Sequence, residues 1–133
     1  DFGQSAGINR GISQSHESGI VTSASLMVRG AAAAEAAAYA RAHPGLSVGL
    51  HVDLCEWSYQ AGQWVCLYDR VDNGDPAAVE AEIAAQFEIF GDLVGRAPTH
   101  LDSHQHVHKE NNVLFPKAVE LERAGNADFS AGA

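Results

Sequence analysis

The sequence predicts an α/β protein in which strand-like and helix-like segments alternate, and two observations support this fold class. Apolar, β-branched runs over residues 20–28 and 46–54 are typical of strands buried on both faces. Segments of helical composition separate the strands, and this order predicts parallel strands joined by right-handed crossovers. Because 133 residues with 46% apolar content suffice for one core, we expect a single domain over residues 1–133, with 125–133 as an atypical tail.

The first half of the chain contains two predicted helices. A helix over residues 7–18 is indicated by apolar residues one turn apart, and Gly19 closes it. The alanine-rich segment 31–42 has high helix propensity. Pro44 and Gly45 follow this segment and end the second helix before the next strand.

A β-hairpin is predicted next, because segments 56–59 and 63–68 flank the turn-forming pair at 61–62. The hairpin carries several aromatic residues, among them Trp57 and Trp64. They either line a neighbouring site or form a small local core that holds the hairpin together.

The third helix has the clearest sequence signals. Asp75 is the predicted N-cap, Pro76 occupies the first helical position, and Gly95 ends the helix. An apolar stripe faces the core through Val79, Ile83, Phe87 and Phe90. A short strand over 98–102 and a last helix over 113–124 complete the predicted elements.

A histidine cluster is the strongest functional signal in the sequence. Four of the seven histidines fall within nine residues and surround Asp102, at positions His100, His104, His106 and His108. Neutral imidazole beside carboxylate is a common ligand set for borderline divalent metals and also serves acid–base catalysis. The alternative is a solvated, tag-like tract, which the interleaved Leu101 and Val107 disfavour.

Polar residues also fall where the predicted strands end. His51 lies near the end of one strand, Asp102 and His104 lie at the end of the next, and Asp1 precedes the first helix. The carboxyl ends of parallel strands build the active site in α/β folds, so we expect these side chains to converge. From the residues alone, a metal ligand and a core histidine are equally good interpretations of His51.

Composition excludes several other functions. The net charge is −9 with only eight Lys and Arg residues, which argues against a nucleic-acid surface. No apolar run has the length of a membrane span. The two cysteines favour free thiols in a reducing compartment, and we therefore expect a cytoplasmic protein.

Four blocks together resemble the YdjC-like carbohydrate deacetylases, which include the chitooligosaccharide deacetylases. The blocks occur in the family's order at 1–11, 19–28, 43–51 and 98–108, and the match runs from Asp1 to about Glu122. The resemblance implies a (β/α) barrel of the polysaccharide-deacetylase type. This chain is expected to cover about half of that barrel and to be incomplete at both ends. It also implies one divalent ion, Zn or Mg, and hydrolysis of the N-acetyl group of an amino sugar or short oligosaccharide.

The resemblance also implies roles for individual residues. The family's metal ligands fall on Asp1, His51 and His104. Asp102 and His106 are then the catalytic candidates, although Asp102 can instead orient a ligating imidazole. His108 is a candidate for sugar binding or for proton donation. With a sugar as the implied substrate, Trp57 and Trp64 are candidate substrate-binding residues, because aromatic rings can stack on the apolar C–H face of a pyranose.

The opening of the family usually reads Asn-Ala-Asp-Asp-Phe-Gly, in which the first Asp resembles a general base and the second a metal ligand. This sequence begins at the second Asp. An alternative function is therefore a non-catalytic metal- or sugar-binding fragment that lacks the base. Unpaired strand edges of a partial barrel further predict a homo-oligomer.

Overall fold

The computed structural model describes residues 1–103, which form three helices and five strands. The predicted last helix over 113–124 lies outside these residues. The helices are α1 (Ala6–Glu17), α2 (Ala33–Ala42) and α3 (Pro76–Val94), and the strands are β1 (Ser23–Leu26), β2 (Ser47–Val52), β3 (Cys55–Gln60), β4 (Gln63–Asp69) and β5 (Leu101–Ser103).

The main sheet is parallel and has the strand order β1-β2-β5. Phe2 forms a further parallel bridge with Leu26, so the start of the chain lies beside β1. Strands β3 and β4 form a separate antiparallel hairpin. The predicted α/β class with parallel strand–helix units is therefore confirmed.

The two faces of the main sheet differ in chemistry because side chains alternate along each strand. The apolar face contributes Leu26, Val48 and Leu50 to a core completed by residues from α2 and α3. The register sets Ser25 beside Gly49, and His51 beside Asp102, which places a polar set on the opposite face.

The prediction that residues 20–28 form a strand buried on both faces is wrong in the extent of the strand and in its burial. The strand spans only Ser23–Leu26, Ser25 is only partly buried, and Ile20 is 80% exposed. Serines alternate with apolar residues here, which is the period-two pattern of a strand with one polar face. The prediction rested on the β-branched and apolar composition of the whole segment, which does not show that alternation.

Helix α3 has the predicted boundaries. The Asp75 side chain caps it by accepting hydrogen bonds from the backbone N–H groups of Ala77 and Ala78, and Pro76 is its first residue. Gly95 ends it with φ of +76°, a left-handed conformation that favours glycine. No helix among residues 1–103 combines the length and apolar character needed to cross a membrane.

Gly49 lies beneath the imidazole ring of His100 in the neighbouring strand segment. A Cβ atom at this position would overlap the ring and lie 2.5 Å from the His100 carbonyl oxygen. We expect Gly49→Ala to lower the free energy of unfolding by about 3 kcal/mol, because β2 and the segment that contains His100 would have to separate.

Urea unfolding checks this prediction, and Gly45→Ala is the matched control. No atom lies within 4 Å of a Cβ at Gly45, so this variant should unfold within about 0.5 kcal/mol of the unaltered chain. Equal unfolding midpoints for both variants would contradict the close packing of Gly49 against His100.

Candidate metal and acid–base site

Asp1 is positioned by the residue that follows it. Phe2 is fully buried, its N–H donates to the Ser25 carbonyl at 3.0 Å, and its own carbonyl accepts from Met27 N–H at 2.8 Å. These two hydrogen bonds fix Phe2 beside the end of β1. Asp1 therefore lies at the edge of the sheet where β1 ends, and its side chain is 45% exposed.

Asn9 stabilises the same segment from helix α1. Its side-chain oxygen accepts a hydrogen bond from Gly3 N–H at 2.7 Å, and its amide nitrogen donates to the Ala32 carbonyl at 3.0 Å. Gly3 has φ of +92° and lies close to Leu26, so this turn requires glycine. The sequence interpretation missed Asn9, whose signal is a polar residue on the buried side of an amphipathic helix.

His51 and Asp102 lie side by side on neighbouring strands and form the centre of the site. The Nδ1 atom of His51 lies 2.7 Å from Asp102 Oδ1, and its Nε2 atom lies 3.8 Å from Asp1 Oδ1. The His51 side chain is only 8% exposed, whereas that of Asp102 is 47% exposed. The structure thus brings together three of the residues that the sequence singled out.

The protonation state of Asp102 defines the tautomer of His51. Burial is the largest single effect and raises the pKa of Asp102. The hydrogen bonds from His51 and Ser25, and the charges that His51 and His100 carry when protonated, together lower it by more, so the pKa lies below its usual value. An ionised carboxylate only accepts hydrogen bonds, and His51 must therefore donate from Nδ1. A neutral His51 then carries its lone pair on Nε2, the ring nitrogen on the side of Asp1.

The donor chemistry of this arrangement fits a divalent cation. Imidazole nitrogen and carboxylate oxygen suit Zn²⁺ and related ions, and a carboxylate on the second ring nitrogen is typical of metal-ligating histidines. The Nε2 atom of His51 and the Oδ1 atom of Asp1 lie 3.8 Å apart. Because metal–ligand distances are about 2.0–2.2 Å, this separation allows both atoms to bind one ion. Within residues 1–103, no three His, Cys, Asp or Glu side chains are grouped as a complete metal site. The third predicted ligand, His104, lies outside the described residues, as do His106 and His108.

Residues 1–125 match the model of the YdjC-like protein family. The chain belongs to the YdjC-like family. The chitooligosaccharide deacetylase of Serratia marcescens is 36% identical in an alignment of length 127 that covers 85% of this chain and 49% of that protein. The carbohydrate deacetylase of Geobacillus stearothermophilus is 38% identical in an alignment of length 130 that covers 91% of this chain and 52% of that protein.

A solved structure from Enterococcus faecalis V583, named for a proposed cellobiose-phosphate cleavage function, has the same fold. Its TM-score is 0.69 at 29% identity, over 93% of this YdjC-like chain and 53% of that one. The chain thus spans about half the length of the relatives that it matches. The resemblance to the YdjC-like family predicted from the four sequence blocks is confirmed.

The hairpin of the YdjC-like chain exposes aromatic side chains. Trp57 is 38% exposed, Tyr59 62% and Trp64 66%, and the rings of Tyr59 and Trp64 lie 5.4 Å apart. The register pairs Tyr59 with Trp64 and Trp57 with Cys66, so all three aromatic residues lie on one face. Their exposure disfavours the alternative of a small closed core within the hairpin.

A buried carboxylate connects this hairpin to the rest of the YdjC-like chain. Asp53 is fully buried, and its side chain accepts hydrogen bonds from the Tyr68 hydroxyl at 2.9 Å and from Arg70 Nε at 2.8 Å. The Gln86 side chain on α3 bonds both backbone groups of Asp53. Burial and the hydrogen bond to Asp53 raise the pKa of Tyr68 to about 12. The sequence interpretation missed Asp53, whose signal is an acidic residue at the end of an apolar run.

A polar cavity of about 450 Å³ lies next to this connection. Its lining includes two arginines and two acidic residues, and the arginines are already engaged, Arg29 with Glu82 at 2.9 Å and Arg70 with Asp53 at 2.6 Å. The balanced charges do not favour an anion or a cation as a ligand.

Proposed function

We propose that this chain contributes the metal-binding part of a carbohydrate N-deacetylase, which removes the N-acetyl group from an N-acetylated amino sugar or short oligosaccharide. The observation that carries the proposal is the His51–Asp102 pair with Asp1 beside the Nε2 atom of His51. The deacetylase names of the Serratia and Geobacillus relatives support the reaction class.

In this proposal, Asp1, His51 and His104 hold one divalent ion. Such a cation supplies Lewis acidity toward the carbonyl oxygen of the acetyl group. A set with imidazole nitrogens favours Zn²⁺ over Mg²⁺, because Mg²⁺ prefers oxygen ligands. Asp102 keeps His51 in the orientation and tautomer that a ligand needs.

Amide hydrolysis also requires two proton transfers. Water adds to the acetyl carbon while a base takes its proton, the C–N bond then breaks, and the amine leaves with a proton from an acid. His106 is the proposed acid, with His108 as the alternative, while Trp57 and Trp64 contact the sugar. Both carboxylate oxygens of Asp102 already accept hydrogen bonds, from His51 and Ser25, which favours a positioning role for Asp102 over that of the base.

The same observation favours the second candidate function for the 133 residues taken alone. If Asp102 does not act as the base, that role falls to the Asp that precedes Asp1 in the usual family opening. The chain by itself would then bind a metal ion or a sugar without turnover. This alternative and the enzyme make different predictions for acetate release.

Three further features of the protein stay predictions. We propose that residues 1–133 form a single domain and that the protein is a homo-oligomer. We also propose a cytoplasmic location, which the free thiols of Cys55 and Cys66 support. The net charge of −9 supports the expectation that no nucleic acid is bound.

Acetate release from an N-acetylglucosamine oligomer tests the proposed function. The 133-residue chain is compared with a chimaera that carries Asn-Ala-Asp before Asp1, and the unmatched half of the Serratia deacetylase after residue 125. We expect the chimaera to release acetate at least about 100-fold faster, because general-base assistance is typically worth ~10²–10⁴ in rate. A folded, zinc-loaded chimaera without activity would rule out the deacetylase, and equal activity of both proteins would place the base within these 133 residues.

A further inference from the structure

A chain of hydrogen bonds runs across the polar face of the main sheet and ends at His51. It begins at the amino end of β2, crosses the segment before β5 and reaches β1, and from there it continues through β5 to the carboxyl end of β2. Its five links are Ser47 Oγ to Thr99 Oγ1 (2.7 Å), Thr99 Oγ1 to His100 Nδ1 (2.9 Å), His100 Nε2 to Ser25 Oγ (3.0 Å), Ser25 Oγ to Asp102 Oδ2 (2.6 Å) and Asp102 Oδ1 to His51 Nδ1 (2.7 Å).

The ionised Asp102 fixes the direction of these hydrogen bonds. Because a carboxylate has no proton to give, the Ser25 hydroxyl donates its only proton to Asp102 Oδ2. Ser25 must then accept from His100, which requires a proton on His100 Nε2. In neutral His100 the Nδ1 atom is consequently an acceptor, and it receives the hydroxyl proton of Thr99.

The position of His100 is fixed by the backbone as well as by this chain. Leu50 N–H donates to the His100 carbonyl at 2.9 Å, and Thr99 N–H donates to the Val48 carbonyl at 3.0 Å. The missing side chain of Gly49 leaves the space that the imidazole ring occupies. His100 therefore presents Nε2 to Ser25 from a fixed position.

The Asp102 carboxylate depends on Ser25 for its own orientation. Its side chain is 47% exposed, so without the hydroxyl its second oxygen could turn toward water. The hydrogen bond from His51 Nδ1 would then lose its fixed acceptor. A free imidazole side chain favours the tautomer protonated on Nε2, and in that form Nε2 cannot bind a metal ion.

We propose that Ser25, supported by His100, is a positioning residue that holds Asp102 and thereby keeps His51 protonated on Nδ1 with its lone pair on Nε2. This inference rests on the proposed function only for the use of that lone pair as a metal ligand. Loss of the carboxylate partner of a metal-ligating histidine typically costs about 10–100-fold in metal affinity. Ser25 acts on that partner, so its removal should give an effect at the lower end of this range.

Imidazole ¹⁵N chemical shifts of the metal-free chain at pH 8 test the tautomer directly, with His51→Gln used to assign the His51 signals. We expect Ser25→Ala to shift His51 toward the Nε2-protonated form, and Ser25→Thr, which keeps a hydroxyl, to retain the original tautomer. Ser23→Ala is the matched control, since Ser23 lies two residues earlier on the same strand face. An unchanged His51 tautomer in Ser25→Ala would overturn the proposal.

Calorimetric titration with Zn²⁺ alone gives the second measurement. We expect Ser25→Ala to weaken zinc binding at least about 10-fold, while Ser25→Thr and Ser23→Ala bind as tightly as the unaltered chain. Equal zinc affinity in Ser25→Ala would likewise count against the positioning role. If the unaltered chain binds no zinc, the proposed metal site fails, whereas the ¹⁵N shifts still decide whether Ser25 controls the His51 tautomer.

Discussion

In the deacetylase chimaera, His51→Gln should lower acetate release by at least about 10³-fold, because it removes a proposed metal ligand and with it the Lewis acid at the acetyl carbonyl. The substitution would also deprive Asp102 of the hydrogen bond that it accepts from the His51 Nδ1 atom. The loss should therefore appear in zinc content as well as in turnover.

His43→Gln provides the control for this experiment. His43 caps the end of α2, where its Nδ1 atom hydrogen-bonds the Tyr39 carbonyl at 2.9 Å. We expect this variant to keep full zinc content and activity. Turnover that survives in His51→Gln with zinc bound at full occupancy would show that His51 is a buried structural histidine, the other interpretation that the sequence allows.

Asp53→Ala should lower the free energy of unfolding by about 3 kcal/mol. Removal of one partner from a buried ion pair typically costs ~3–5 kcal/mol, because the other charge stays without compensation. The Arg70 side chain is 29% exposed and can partly turn to solvent, which places the expected value at the lower end of that range. Tyr68 loses its acceptor as well.

Tryptophan fluorescence during urea unfolding reports on the hairpin directly, since Trp57 and Trp64 both lie in the hairpin that Asp53 connects to α3. Asp92→Ala, which removes an exposed carboxylate of α3, should change stability by less than about 0.5 kcal/mol. If Asp53→Ala unfolds at the same urea concentration as Asp92→Ala, the buried network does not hold the hairpin in place.

Local signals made the helices and the hairpin predictable. The Asp75–Pro76 start and the Gly95 end of α3 depend on backbone groups within a few residues, so the sequence alone specifies them. The approach of Asp1, His51 and Asp102 was also predictable, because parallel strands place their carboxyl ends at one edge of the sheet.

The partners of buried polar residues were not predictable in the same way. Ser25 meets Asp102 across 77 positions of sequence, and Asp53 meets Gln86 across 33. These pairs depend on strand register and on how α3 packs, and neither leaves a pattern within a short window. A polar residue inside an apolar run signals that a partner exists without identifying it.

The close fit of Gly49 to His100 has a consequence for how the sheet acquires its alignment. A slip of one residue between β2 and β5 would turn Asp102 toward the helices and bring Leu101 to the polar side. The space above Gly49 accepts the imidazole ring in only one alignment, so shape discriminates against the slipped pairing before any ligand is present. The same two positions, Gly49 and His100, therefore favour the correct pairing of β2 with β5 and the alignment of His51 with Asp102 in the candidate site.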